Sequence, residues 1–467
     1  MENIIGRTAE ISRLHKCFSS NRAELVIVYG RRRIGKTFLV RQFFGNKFTF
    51  SFVGGHNENT REQLARFALA QQEQWHLPIA PQFSNWNEAF HSLRQLLLAL
   101  PEKERKVIFL DEMPWMDTPK SRFVTALETF WNAWAATRND IMLVACGSST
   151  SWMVEKILGN QGGLFGRVTE QIYLRPFNLR ECEQLIDAKH GQWDRYQITQ
   201  AYMALGGVPF YFDMLESNQS VAQNIDRLFF ENNARLANEF DQLYATLFNR
   251  PENYISVVRA LASHPGGLTR NQISSLTGIT GGGLTNVLQN LIRCDIVDAF
   301  NQFHSKTQAV YHIVDLYTLF YLKHVVNNNT KDKHYWSHHA NSPSIYTWQG
   351  HAFEIIGLTH IDQIKSTLSI AGVATNCYAW HNTEAQIDLV IERADRMINL
   401  CEMKFSGNPF EITKDYAERL RNKAGAFKAA TKTRYGLLTT LVSTFGVAKN
   451  KYSYMAQNEI VMEDLFK

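Results

Sequence analysis

The residues of this 467-residue chain best suited to chemistry begin at Gly30. Gly30-Arg31-Arg32-Arg33-Ile34-Gly35-Lys36-Thr37 reads G-x-x-x-x-G-K-T, between the apolar run 25–29 and a helix-like segment that continues through Phe38. The two glycines let the backbone fold back with its N–H groups pointing inward, and the helix N-terminus behind them adds the positive end of its dipole. Such a loop cradles nucleotide phosphates, with Lys36 reaching the β and γ groups and the Thr37 hydroxyl turned to Mg²⁺. ATP with Mg²⁺ is therefore the expected ligand of residues 30–38.

A second set follows 75 residues on. The run Lys106-Val107-Ile108-Phe109-Leu110 ends in Asp111-Glu112. A strand of this kind is buried on both faces of a parallel sheet, and its carboxyl end opens at the crevice where ligands bind. Asp111 is placed to hold Mg²⁺, directly or through water, and Glu112 to polarise the attacking water. The plainer alternative is an acidic cap on the next helix. The apolar run 141–146 ends in Gly147-Ser148-Ser149, where Ser148 or Ser149 either senses a γ-phosphate or caps a helix. Arg167, after Gly163-Leu164-Phe165-Gly166, pairs with a γ-phosphate in cis or across a subunit boundary, or is a surface arginine.

The third set is in the tail. Glu354 lies within an otherwise apolar helical pattern at 348–356, Asp388 early in the strand-like run 386–391, and Glu402 and Lys404 at the end of the run 398–404. Their spacing of two puts Glu402 and Lys404 on one face of a strand. Two carboxylates can hold Mg²⁺ against a phosphate oxygen, a third (Glu354) can bind it directly or through water, and a lysine can orient the attacking water. The alternative is a salt-bridged strand end.

The elements that must position these groups follow from hydrophobic period and turn chemistry. Strand and helix patterns alternate through the first half: a strand at 48–53 and helices at 59–74 and 86–100. From 252 to 315 the pattern is three helices and a hairpin: a helix at 254–262, a second opened by Thr269 as its cap, a glycine turn at 278–283, a third at 284–292, and wing strands at 296–300 and 309–313. That is the order of a winged helix-turn-helix, with Asn286, Gln289, Asn290 and Arg293 facing outward and able to read base edges. The segment is only weakly basic, so coupling between neighbouring domains is an equal expectation. A polar linker at 327–344 precedes the tail.

Several ordered motifs carry a family resemblance. Ile5-Gly6-Arg7-Thr8-Ala9-Glu10, the Y-G-R-R-R-I-G-K-T loop, F-L-D-E-M-P-W at 109–115, L-R-P-F at 174–177 and Gly206-Gly207-Val208-Pro209 together resemble archaeal-type AAA+ ATPases related to the STAND class. The resemblance implies that Ile5, Arg7 and Pro209 contact the nucleotide, Pro209 from a helical lid, and that ATP acts as a slow timer. The set Asp388, Glu402 and Lys404, with Glu354 upstream, resembles the PD-(D/E)XK nuclease superfamily and the domain of unknown function that accompanies such ATPases, although Ile387 stands where that motif has proline.

The expected fold class is α/β: a P-loop parallel-sheet ATPase core (1–178), a helical lid (179–245), a winged helix-turn-helix (246–326) and an α/β restriction-endonuclease-like domain (340–467). The charge of +5 permits nucleic acid without demanding it. Six scattered cysteines with no C-x-x-C pair fit a reduced, cytoplasmic setting and do not fit a zinc site. No signal peptide or membrane-spanning run is expected. The combined expectation is an ATP-controlled, Mg²⁺-dependent enzyme acting on nucleic acid, DNA before RNA, able to form a homo-oligomer, with the resemblance suiting defence or mobile-element biology. The alternatives are an ATP-driven signalling scaffold and a DNA-binding regulator whose tail does not cut.

Overall fold

In the computed structural model the described residues are 4–101, 104–159, 163–248, 250–305, 308–326, 328 and 332–467. They fall into two compact units, Met1–Arg175 with Thr246–Phe248, and Pro176–Ala245 with Asn249–Lys467.

The first unit is built on β1 (Glu24–Tyr29), β2 (Phe50–Val53), β3 (Lys106–Asp111), β4 (Ile141–Gly147) and β5 (Glu170–Tyr173), all parallel in the order β2-β3-β4-β1-β5. Every residue of β3 and β4 is buried, which explains their unbroken apolar runs. The period of two sends alternate side chains into two cores. Val26, Val28, Val107, Phe109, Met142 and Val144 join Leu14, Leu39 and Val40 of helices Thr8–Phe18 and Lys36–Phe43. Leu25, Ile27, Ile108, Leu110, Leu143 and Ala145 join Phe67, Phe90 and Leu127 of helices Thr60–Trp75, Trp86–Leu98 and Phe123–Ala133. Asn59 fixes the start of Thr60–Trp75 through a full capping box with Glu62. Because β4 lies between β1 and β3, the carboxyl ends of the strands that carry the loop and Asp111 open on one edge.

In the second unit the middle segment has helices Pro251–Ala262, Arg270–Thr277 and Gly281–Arg293 and an antiparallel sheet of β6 (Leu268–Thr269), β7 (Val297–Asn301) and β8 (Ala309–Ile313), in the order β6-β8-β7. Thr269 caps the second helix as expected, through a box with Gln272. The third helix starts at Gly281 instead of 284, so its glycines belong to the helix and not to the turn. The expected linker at 327–344 is also more structured than its polarity suggests. Residues 327 and 329–331 lie outside the described residues, but Tyr335–His339 is helical and buries Trp336 against Phe320, His324 and Trp348. Pro343 then opens a helix, Pro343–Thr359, longer than the apolar pattern alone marks.

The tail carries β9 (Thr375–His381), β10 (Gln386–Arg393), β11 (Met397–Lys404), β12 (Gly436–Ser443) and β13 (Asn458–Val461) in the order β13-β12-β11-β10-β9. β9, β10 and β11 form an antiparallel meander, and β12 and β13 run parallel to β11. Helix Lys414–Thr431 crosses from β11 to β12 and buries Ala417, Leu420 and Phe427. The wing is docked on this sheet. Gln302 bridges Ala379 on the edge strand β9, the Phe303 N–H donates to Ala379 O at 3.2 Å, and the Phe303 ring meets Tyr378 and Phe427 edge-on at 5.1 and 4.9 Å.

Candidate functional site

The loop after β1 takes its shape from two glycines in the left-handed half of backbone space. Gly30 has φ 144°, and a Cβ there would stand 2.4 Å from the Leu174 carbonyl oxygen, so no larger residue fits. Gly35, at φ 86°, flanks the start of helix Lys36–Phe43, whose first N–H groups therefore face the loop. The Lys36 ammonium is buried and donates to Gly30 O at 3.0 Å and Arg31 O at 2.8 Å, spanning the mouth of the loop. Arg31 and Ile34 are buried, whereas half of Phe38 is exposed. Arg33 has φ 70°, and Arg32 donates to Thr246 Oγ1 at 2.8 Å, joining 246–248 to this unit.

The sheet order then brings the two acids to the loop. Thr37 Oγ1 donates to Asp111 Oδ2 at 2.9 Å across 74 residues of chain. The Glu112 N–H donates to Asp111 Oδ1 at 3.0 Å. Burial pushes the Asp111 carboxyl above its ordinary range against the opposing hydrogen bond from Thr37, and Glu112 adds to the rise. A buried carboxylate beside a hydroxyl, with its charge unfavourable as it stands, is a hard-oxygen donor set that suits Mg²⁺. Glu112 sits at φ 48°, a rare conformation for a side-chain-bearing residue. Its Oε2 accepts from the Ser148 N–H at 3.2 Å and Ser148 Oγ at 2.8 Å. Of the two serines, Ser148 is the one that meets the acid, while Ser149 precedes the short helix Thr150–Trp152 and makes no side-chain cap.

Arg7 ties the opening motif to the loop. Its guanidinium donates to Ile34 O at 3.2 Å and Arg175 O at 2.8 Å. Ile5 is half-buried. Arg167 is exposed and stands at the amino-terminal end of β5, where the Thr169 N–H pairs with Leu25 O at the start of β1. The loop and Asp111 are at the opposite edge, so Arg167 does not join them. In the second unit Pro209 opens helix Pro209–Asp213 after Gly206 and Gly207, both with positive φ. The Phe177 N–H donates to Gly207 O at 2.7 Å, joining L-R-P-F to the glycine pair.

The tail brings Asp388, Glu402 and Lys404 to one place. Asp388 lies where the β9–β10 register breaks between Ile387 and Val390, and such a bulge re-aims a side chain. Its Oδ2 accepts from the Met403 N–H at 2.8 Å. Burial, then Glu402 and Glu354, push its carboxyl well above the ordinary aspartate range. Glu402 is buried, with Lys423 Nζ 2.6 Å from Oε1 and Lys404 Nζ 3.8 Å from Oε2. Lys404 also donates to Met403 O at 2.9 Å. Glu354 sits 3.5 Å from His351 Nδ1, one turn back on its helix. This corrects the expected metal centre. Among the described residues no group of three or more His, Cys, Asp or Glu side chains is arranged to hold a metal ion. The donor chemistry suits Mg²⁺, but lysines and a backbone N–H engage Glu402 and Asp388 instead, so Glu354, Asp388 and Glu402 do not fit a divalent ion as arranged. Lys423 was not expected from the sequence, because nothing in its spacing marks it.

The base-reading face is corrected in part. Asn286 and Gln289 are exposed, but Asn290 donates to Tyr254 OH at 3.0 Å and Arg293 Nη1 to Asn290 Oδ1 at 3.3 Å. Among the described residues no helix is long and apolar enough to cross a membrane.

A parallel sheet with a G-K-T loop, a buried aspartate bonded to the loop threonine and a glutamate beside it define an α/β P-loop ATPase domain. Residues 4–215 match the family described as an ATPase domain predominantly from Archaea. An uncharacterized protein of Methanocaldococcus jannaschii is 23% identical over 327 residues, 69% of this chain and 69% of that one. An uncharacterized ATP-binding protein of the same organism is 44% identical over 43 residues, 9% of this chain and 73% of that one. Among solved structures, a Walker-type ATPase of Pyrococcus abyssi is similar at 17% identity and a TM-score of 0.49, covering 69% of this chain and 96% of that one.

Proposed function

We propose that this chain is an ATP-binding and ATP-hydrolysing switch whose nucleotide state governs a C-terminal domain directed at nucleic acid, DNA before RNA. The observation that carries the reading is the hydrogen bond between Thr37 and Asp111. Lys36 holds the β and γ phosphates, Thr37 and Asp111 hold Mg²⁺, and Glu112 orients the attacking water once it is released from Ser148. Bound Mg²⁺ supplies charge neutralisation at the phosphates. Ile5, Arg7 and Pro209 are nucleotide contacts by resemblance. Arg167 serves a second copy if it meets a γ-phosphate at all, because its own loop is at the far edge of the sheet. Replacing Glu112 by Gln removes the base and keeps its shape. Phosphate release is expected to fall by about 10²–10⁴-fold with ATP binding retained. Undiminished hydrolysis would remove Glu112 from this role.

For the tail, the element order helix, three strands, helix, strand and the meeting of Asp388, Glu402 and Lys404 support a phosphodiester-directed site. The finer reading is a nuclease. A second reading, a regulatory scaffold that binds without cutting, is favoured by Lys423 on Glu402 and by the docked wing. Incubating the chain with duplex and single-stranded DNA and Mn²⁺, beside a Lys404→Ala variant, separates them. Cleavage lost in the variant supports the nuclease, and binding without cleavage supports the scaffold.

A further inference from the structure

We propose that helix Arg195–Leu205 carries the nucleotide state to the tail, with Tyr196 as the residue that positions Lys404 and Glu354 through Phe405. This deepens the switch proposed above and rests on it, and on the nucleotide contact that resemblance gives to Pro209. One helix of 11 residues, about 16 Å long, spans the two places. Asp194 fixes its start through a capping box with Gln197, so Tyr196 stands in the first turn. Its last turn ends at Gly206, and Gly207-Val208-Pro209 follow directly. Ile198, Ala201, Tyr202, Met203 and Leu205 are buried along its length, and a helix so packed shifts as one piece. Tyr196, Phe353, Phe405 and Phe445 all belong to the second unit.

The first turn meets the tail through aromatic rings. Tyr196 stacks on Phe405 at 5.1 Å with 10° between the planes, and on Phe445 at 5.6 Å with 22°. Phe405 follows Lys404 in the chain, and its ring also packs on Phe353 at 5.5 Å, the fully buried residue before Glu354. Phe445 lies in the loop after β12, which is tied back to β11. The Thr444 N–H donates to Lys404 O at 3.2 Å, and the Ser406 N–H donates to Thr444 Oγ1 at 2.9 Å. Close-packed side chains pass a displacement on instead of absorbing it. Moving the Tyr196 ring therefore acts on the backbone beside Lys404 and on the helix that bears Glu354. A second fastening lies further along the same helix. Tyr202 meets His360 edge-on at 5.7 Å. His360, at the end of helix Pro343–Thr359, accepts the Leu179 N–H at Nε2 (3.1 Å) while its Nδ1 donates to Ile356 O at 2.8 Å. The wing, by contrast, meets β9 and β10 through Gln302, Phe303 and His304. The stack on Phe405 is thus a route from the glycine–proline motif to Lys404 that does not pass through the winged segment.

The test is amide exchange of the full chain, read by mass spectrometry over residues 402–406, with and without a nonhydrolysable ATP analogue and Mg²⁺. In the unaltered chain the analogue is expected to change that exchange about threefold or more. In Tyr196→Ala the change is expected to be lost while ATP affinity, measured by calorimetry, stays the same. Tyr196→Phe keeps the ring and is expected to keep the change, as is Phe303→Ala, which loosens only the wing. Should Tyr196→Ala fail to fold, Tyr196→Leu keeps apolar bulk without the stack and is read in the same way. A change retained in full by the variant without the ring would overturn the proposal. Absence of ATP uptake by the unaltered chain would retire the switch itself, and this route with it. Uptake with exchange at 402–406 unmoved would retire the route alone.

Discussion

Asp388 shows how one side chain's surroundings set its chemistry. Placed at a bulge and buried, with Glu402 and Glu354 as like-charged neighbours, it holds its proton at pH values where an exposed aspartate has lost it. The folded value is raised above the ordinary 3.8, so the folded state binds the extra proton. Its contribution to stability is complete below that value and drains away as pH rises toward the folded value. Asp388→Asn is therefore expected to raise the melting temperature, and to raise it more at pH 8 than at pH 4. A gain that is absent, or larger in acid, would show that Asp388 carries no such burden. The residues of the loop were readable because G-x-x-x-x-G-K-T works locally, through glycine backbone and one helix end. Asp111 was readable because it ends a run apolar on both faces. Lys423 was not, because its role depends on where helix Lys414–Thr431 crosses the sheet, and no short-range pattern encodes that. Nor does the sequence show that Glu354 comes within 3.5 Å of His351 Nδ1 and that Arg293 bonds Asn290, since helical spacing gives the face of a side chain and not its partner.

At the scale of elements, the wing explains more than the third helix. Free wings present a hairpin to solvent, but here Gln302 and Phe303 lie against β9, and His304 Nε2 stands 2.8 Å from Glu392 Oε1 on β10. The hairpin thus protects an edge strand that would otherwise offer unpaired N–H and C=O groups. It also ties the winged segment to the sheet that holds Asp388. Phe303→Ala removes the ring between Tyr378 and Phe427. Phe303 is only partly buried, so its truncation is expected to cost less than the about 3–5 kcal/mol of a fully buried phenylalanine. Faster amide exchange in β9, with exchange in β1 unchanged, is the expected result, and unaltered β9 would show that the wing does not brace it. Hydrophobic period and capping chemistry gave these helices and strands to within a few residues. Docking of the hairpin was hidden because an alternating strand reads alike whether it faces solvent or another sheet edge. The polarity of 327–344 concealed Trp336, whose burial depends on Phe320, His324 and Trp348 from other elements.

At the scale of the whole molecule there are two candidate centres, a nucleotide site in one unit and a carboxylate–lysine cluster in the other. The mild net charge fits this division, since neither site needs a broad basic surface to work. Between residues 405 and 457 there are nine Lys and Arg against three Asp and Glu, a surplus that exceeds the +5 of the entire chain. That stretch is a local basic run: over residues 340–467 as a whole, 14 Lys and Arg stand against 13 Asp and Glu. The central claim is that Thr37 and Asp111, with Lys36, form a working site for ATP and Mg²⁺. Calorimetric titration of ATP with and without Mg²⁺, into the unaltered chain and into Lys36→Ala and Thr37→Ala, tests it most directly. Saturable ATP binding strengthened by Mg²⁺ is predicted, with binding lost in Lys36→Ala and the Mg²⁺ dependence lost in Thr37→Ala. The same affinity in all three proteins, or no uptake by the unaltered chain, would contradict the claim.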